Sequence, residues 1–250
     1  MRFFFRVVLL SVVAPNKGAW ALSALRTTTT TRRGALWTFV LMPPGAASAF
    51  ENAVPEAVKF ADKPKRHGPR PTGLGLEMRD DVDSDEPELK VCGGAPNCFS
   101  TTPDEVAPEH FVERWVAPKT LSRDDAIAGL RRAIQTYKPG QQGIDGGGFL
   151  VVADRDGYFR VIFESLKNGY YDDLEFALND DDDATLKVRS SSRVGYLDYG
   201  VNAKRLNALA ATLRASGWTA PDITPATHPD YFRLNSPKQD QVPASSVFTR

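Results

Sequence analysis

The sequence predicts an α+β fold: a four-stranded antiparallel meander flanked in chain order by two helices, α-β-β-β-β-α, with an irregular N-terminal arm and a C-terminal tail. Three observations predict it. Residues 122–137 place Ala126, Leu130, Ala133, Ile134 and Tyr137 on one helical stripe. Residues 149–192 hold four strand-like runs separated by turn residues. Residues 202–215 return to helical spacing, with Leu206, Leu209, Ala210 and Leu213 on one face. A single-faced sheet needs a cover, and two amphipathic helices supply it. The composition divides the chain into a leader (1–49), an arm (50–87), the α+β domain (88–234) and a polar tail (235–250) expected to be disordered.

The leader contains no acidic residue; the first is Glu51. Arg2 and Arg6 bracket the start of an apolar run over 3–13, too short for a membrane span and suited to a secretory signal. Ala19-Trp20-Ala21 offers cleavage before Leu22, or alternatively before Trp20. Residues 22–33 are rich in Thr and Arg, a transit-peptide composition. Arg32-Arg33 then precede a second apolar run, 35–42, closed by Ala47-Ser48-Ala49, a pattern that resembles a twin-arginine signal. In series these addresses lead through a plastid of secondary origin to the thylakoid lumen. The competing reading is one N-terminal anchor or two membrane helices. Neither run reaches the roughly 20 apolar residues of a span, so the mature chain is expected to begin near Phe50 without a transmembrane segment.

Six of the 31 basic residues lie in the leader. The remaining 25 face 31 acidic ones, a net charge of −6, which argues against a nucleic-acid partner. In the arm, Lys63-Pro64-Lys65-Arg66-His67-Gly68-Pro69-Arg70 forms a basic cluster. It suits an acidic partner or lipid surface, but a solvated linker is the favoured reading. The domain begins with Ser122 as N-cap and Asp124 and Asp125 in the first helical turn; Lys138-Pro139-Gly140 stops this helix. Strands are expected over 149–153, 158–166, 170–178 and 185–192. Their connectors are residues 154–157, Asn168-Gly169 as a two-residue type I′ hairpin turn, and the acidic run 179–183. That run lacks the ligand spacing of a calcium loop and reads as a solvated turn. Gly217 sits where a left-handed cap would end the second helix.

Several motifs together carry a family resemblance. They are Cys92-Gly93-Gly94-Ala95-Pro96-Asn97-Cys98, Phe163-Glu164-Ser165, Asp172-Asp173-Leu174-Glu175-Phe176, Val188-Arg189-Ser190-Ser191-Ser192-Arg193-Val194-Gly195, and Asp198-Tyr199-Gly200-Val201-Asn202 with Lys204-Arg205. In this order the chain closely resembles the DUF1499 family, a domain of unknown function, over roughly residues 50–232. The arm and Gly143–Phe149 look like plastid members. The resemblance implies a soluble lumenal protein and supplies no catalytic residues.

Cys92 and Cys98 enclose five residues, two of them glycine, so a local disulfide and two free thiols are both open readings. Arg189 and Arg193 share a face of the last strand, alternating with Ser190 and Ser192. With the helix amides near Asn202, and with Arg205, they make a candidate site for a small anion or lipid head group. The competing and favoured reading is cross-strand ion pairing, with Asp173 and Glu175 as partners, and helix capping by Asp198 or Asn202. Asp172 and Asp173 point to opposite faces and are poor partners in acid–base work. The glycine-rich stretch 143–148 leads into a strand rather than a helix, unlike a phosphate-binding loop. Ser191 and Ser192 lack a nearby histidine in sequence and any nucleophile-elbow pattern, and His67, His110 and His228 show no metal-ligand spacing. No catalytic residue, cofactor or metal site is therefore assigned. The expected function is that of a non-enzymatic lumenal accessory protein with a membrane-complex partner. A binder of a small anionic ligand is the alternative, and an enzyme has the least support.

Overall fold

The computed structural model describes residues 50–179 and 184–236, all within the compact unit Pro43–Arg250. The leader, the acidic run after Asn179 (180–183) and the tail from 237 onward lie outside the described residues. In chain order the elements are β1 (Cys98–Ser100), β2 (Trp115–Val116), α1 (Arg123–Gln135), β3 (Gly148–Arg155), β4 (Tyr158–Glu164), β5 (Tyr171–Leu178), β6 (Thr185–Ser192), α2 (Val201–Arg214) and α3 (Pro229–Asn235).

The fold is α+β, as expected, but its antiparallel sheet has six strands rather than four. The order is β1-β6-β5-β4-β3, and β2 also pairs with β6. The meander of β3 to β6 is the expected one. The two extra strands share the outer edge of β6: Cys98–Ser100 opposite Ser191–Arg189, and Trp115–Val116 opposite Leu186–Thr185. Three and two residues long, they are too short to show a period of two in sequence. They cover what would otherwise be an open edge.

One sheet face is apolar. Phe159, Val161 and Phe163 of β4, Leu174 and Phe176 of β5, and Leu186 and Val188 of β6 lie in register across it and are buried. α1 and α2 cover this face with Leu130, Ala133, Ile134, Leu206, Leu209 and Leu213. Full burial of each large apolar side chain contributes about 1.5–3 kcal/mol, so the core tolerates few truncations. Ser122 caps α1 as read, its hydroxyl accepting the Asp125 amide at 3.1 Å.

The turns divide differently from the reading. Asp156 and Gly157 both have positive φ, 48° and 78°, and join β3 to β4 in two residues. Between β4 and β5 the chain turns over Ser165–Tyr170 instead, and only Gly169 is left-handed. Asn168-Gly169 is thus not a type I′ turn. The Gly169 amide bonds back to the Ser165 carbonyl at 3.2 Å. A Cβ at Gly169 would lie 2.4 Å from Lys65 Cδ, so the close approach of the arm requires glycine there.

Outside a short 3-10 helix, Pro55–Phe60, the arm is irregular, as its composition suggests, but it is not a solvated linker. Its first residues run beside the entry to β3: Phe50 and Val54 donate to the carbonyls of Gly147 and Gly146, each at 3.0 Å. Asn52 holds Phe149 through both backbone groups, at 3.0 and 2.8 Å. Further on, the arm crosses the second face of the sheet, where it supplies partners to charged side chains. Composition conceals this because the contacts are polar and lie about a hundred residues away in sequence.

Cys92 and Cys98 form a disulfide, with Cα atoms 5.5 Å apart. Cys98 is buried in β1 beside Ser191. By loop entropy so short a loop contributes about 2 kcal/mol. Replacing both cysteines with serine should lower the unfolding free energy by about that amount, read from urea denaturation of the oxidised wild type and the variant. The native protein should also resist thiol alkylation until it is reduced.

Candidate functional site: two charged faces of one sheet

On the helix-covered face the polar centre is Arg205 of α2, wholly buried. Its guanidinium has five N–H donors, and all five are met. Nε and Nη2 donate to Asp145 at 2.9 and 2.5 Å, and Nη2 also donates to Asp172 at 2.7 Å. Nη1 donates to Asn202 Oδ1 at 2.8 Å and Ser190 Oγ at 3.2 Å. The guanidinium also stacks 4.6 Å from the centre of the Phe163 ring. Burial alone would lower the Arg205 pKa; the two carboxylates outweigh it and hold the pKa well above the usual value. Tyr137 donates to Asp145 at 2.6 Å, and burial with the Asp145 charge raises its pKa, keeping the phenol a donor.

The network continues to the disulfide loop. Asn202 donates to the Asn97 carbonyl at 2.9 Å and to Asp198 at 2.8 Å. Asp198 accepts the amides of Gly200 and Asn202 at 3.0 and 2.9 Å, together with the Tyr231 hydroxyl. Asn235 accepts the amides of Asp198 and Tyr199 and donates to Pro96.

The opposite face carries a second charged set. Asp173 receives Arg160 and Arg193, the shortest contacts being 2.7 and 2.6 Å. Glu175 accepts Tyr158 at 2.8 Å and the arm amide of Gly75 at 2.7 Å. Lys65 of the arm reaches Glu164 at 2.8 Å. His67 stacks on Tyr171 with ring centres 3.8 Å apart, and Arg193 lies 5.1 Å from the same ring. Lys187 is enclosed by Glu86, Glu88 and the Pro87 carbonyl. Three buried atoms of this set have no partner among the described residues: His67 Nε2, Glu88 Oε2 and Arg189 Nε. Arg189 is buried and its Nη1 lies a long 3.4 Å from Glu175. Burial lowers its pKa against the pull of Glu175 and Asp173.

The six residues read as a possible anion site therefore divide between two faces. Arg189 and Arg193 lie under the arm, with Asp173 and Glu175. Ser190, Asn202 and Arg205 lie under the helices, and Ser192 joins them through a bond from Asn202. The amides at the start of α2 are taken by Asp198, so capping is done by Asp198 while Asn202 bridges β6 to the disulfide loop. Asp172 and Asp173 do point to opposite faces. The reading missed Asp145, Arg160, Glu164 and the arm residues Lys65 and His67. One signal for Arg160 and Glu164 was present: charged residues alternate with Phe159, Val161 and Phe163 along β4. Among the described residues, no group of three or more His, Cys, Asp or Glu is placed to hold a metal ion. No helix among them is long and apolar enough to cross a membrane.

The fold and its networks define a small α+β domain whose sheet buries charge on both faces, one under helices and one under the chain's own N-terminal arm. Residues 88–213 match the family described as "Protein of unknown function (DUF1499)", and the chain belongs to it. No curated protein and no solved structure matches the chain. The motifs that carry the family likeness now have a shared physical account. Asn97, Ser190, Asp198, Asn202 and Arg205 form one buried hydrogen-bonded network.

Two consequences are measurable. Arg205→Ala leaves Asp145 and Asp172 buried without their cation and should lower stability by about 3–5 kcal/mol, read as a shift in the chemical-denaturation midpoint. For His67, burial lowers the pKa from 6.5, with Lys65 and Arg193 acting in the same sense against Glu164. The docked arm thus favours neutral histidine. Its contribution is complete above pH 6.5 and is lost as pH falls through the lowered docked value. Amide protection factors in residues 60–75, corrected for the intrinsic exchange rate at each pH, should fall on acidification from pH 7.5 to 5, and His67→Phe should flatten that dependence.

Proposed function

We propose that the chain is a non-enzymatic binding protein of the thylakoid lumen, accessory to a complex of the photosynthetic membrane. The single observation that carries the location is the leader: no acid before Glu51, two short apolar runs, and Arg32-Arg33 placed before the second. The charged residues support a role other than catalysis. Apart from Arg189, the buried charged residues of the sheet are paired with opposite charges within the two networks. A full-length fluorescent fusion should reach the lumen, and the Arg32→Lys, Arg33→Lys double variant should stop short of it. Mature protein found in the cytosol with Met1 intact would refute the location. Cross-linking in isolated thylakoids should join the protein to one defined membrane complex, and recovery of only the free chain would refute the accessory role.

A second reading is the binding of a small anion at Arg189. The unpartnered Nε favours it, because a buried guanidinium missing an acceptor is stabilised by one. An anion would reach it where the arm lifts. Phosphate should then raise the melting temperature of the wild type but not of Arg189→Ala, since only a native-state ligand stabilises by mass action. A shift equal in both proteins would count against this reading.

A further inference from the structure

A cleft of about 340 Å3 lies between the segment leading into β2, the first turns of α2 and the loop preceding α3. None of the charged-network residues lines it. Trp115, Val112, Leu206 and Ile223 supply an apolar interior, and Phe111, 39% exposed, stands at its mouth. Glu109, Glu113 and Asp222 contribute carboxylates, while among the described residues no lysine or arginine lines the cleft. Asp222 is paired with Arg214 at 2.9 Å. Glu109 lies 3.9 Å from His110 Nε2, and Glu113 is exposed.

The walls are fixed. His228 bridges the Phe111 carbonyl at 2.9 Å and the Thr227 hydroxyl at 2.8 Å. Asn207 of α2 holds Ile223 through both backbone groups, each at 2.8 Å. Val116 and Thr219 exchange backbone bonds, at 2.8 and 2.9 Å. The site therefore needs little ordering on binding, which lowers the entropic cost of holding a ligand.

We propose that this cleft binds a small ligand with an apolar body and a cationic end. The volume falls at the lower end of the about 300–1,000 Å3 typical of small-molecule sites. Phe111, the exposed aromatic of the lining, offers a π face to an ammonium. Arg214 compensates Asp222, so the opposite charge at the rim comes chiefly from the exposed carboxylates of Glu109 and Glu113. An anionic ligand of the same shape meets repulsion from the same groups. The proposal does not depend on the compartment in which the protein works.

Calorimetric titration of the full chain with three probes of one shape tests it: 3-phenylpropylammonium, 3-phenylpropan-1-ol and 3-phenylpropionate. The ammonium should bind about tenfold more tightly than the carboxylate, with the alcohol between them. Rising salt should narrow the gap. The Glu109→Gln, Glu113→Gln double variant changes only exposed side chains and should bring the three affinities within about threefold. Pro221→Trp, which fills the mouth, should abolish binding of all three while the circular dichroism spectrum is kept. Equal affinities in the wild type, no heat with any probe, or binding unchanged by Pro221→Trp would each overturn the proposal. So would a peptide bearing adjacent phenylalanine and lysine that binds where the free amine does not, since that assigns the cleft to a protein partner.

Discussion

The guanidinium of Arg205 is the constraint on which the helix-covered half of the molecule depends. Removing such a group from water costs several kcal/mol unless every donor is matched. Here the matching groups come from four places: Asp145 before β3, Asp172 on β5, Ser190 on β6 and Asn202 on α2 itself. The position of α2 over the sheet and the alignment of β5 with β6 are therefore coupled. A one-residue slip of β5 would turn Asp172 to the other face and bring Asp173 in its place. Apolar packing alone would resist such a slip less sharply, because hydrophobic burial has no direction.

A second constraint works from the outer face. β4, β5 and β6 each alternate apolar and charged residues, so the face away from the helices is a field of carboxylates and cations. The arm closes it with polar groups of its own: the Lys65 ammonium, the Gly75 amide and the acids around Pro87. Most of these contacts join opposite charges or supply a donor to an acceptor, while Arg189 Nε, His67 Nε2 and Glu88 Oε2 are left without a partner among the described residues. Charge burial beneath an irregular segment explains how a stretch with few apolar residues stays in place.

Much of the fold was legible because its signals are local. The stripe through Ala126, Leu130 and Ile134, the cap at Ser122 and the alternation in β3 to β6 each follow from a few adjacent residues. The six-residue turn at Ser165–Tyr170 was not, because the Asn168-Gly169 pair carries the same local signature as a tighter turn and the difference lies in the packing of Lys65. β1 and β2 were missed because two or three residues establish no period. Of the charged site, Asp173 and Glu175 were recognised as partners of arginines, and the disulfide stood among two open readings. Asp145 was not recognised, since its role depends on a helix sixty residues later. Nor was the arm, whose partners are separated from it by nearly the whole domain.

That separation has a consequence for the order of events on the ribosome. Lys65 meets Glu164, Gly75 meets Glu175, and the Pro87 carbonyl meets Lys187, each pair about a hundred residues apart. The arm is made before the domain and has nothing to hold until strands β4 to β6 emerge. At about 5–20 residues per second, that interval lasts roughly 5–20 s. An uncovered apolar face would attract other nascent chains during the wait. An ionic face stays hydrated, so the unfinished domain waits in water without becoming adhesive.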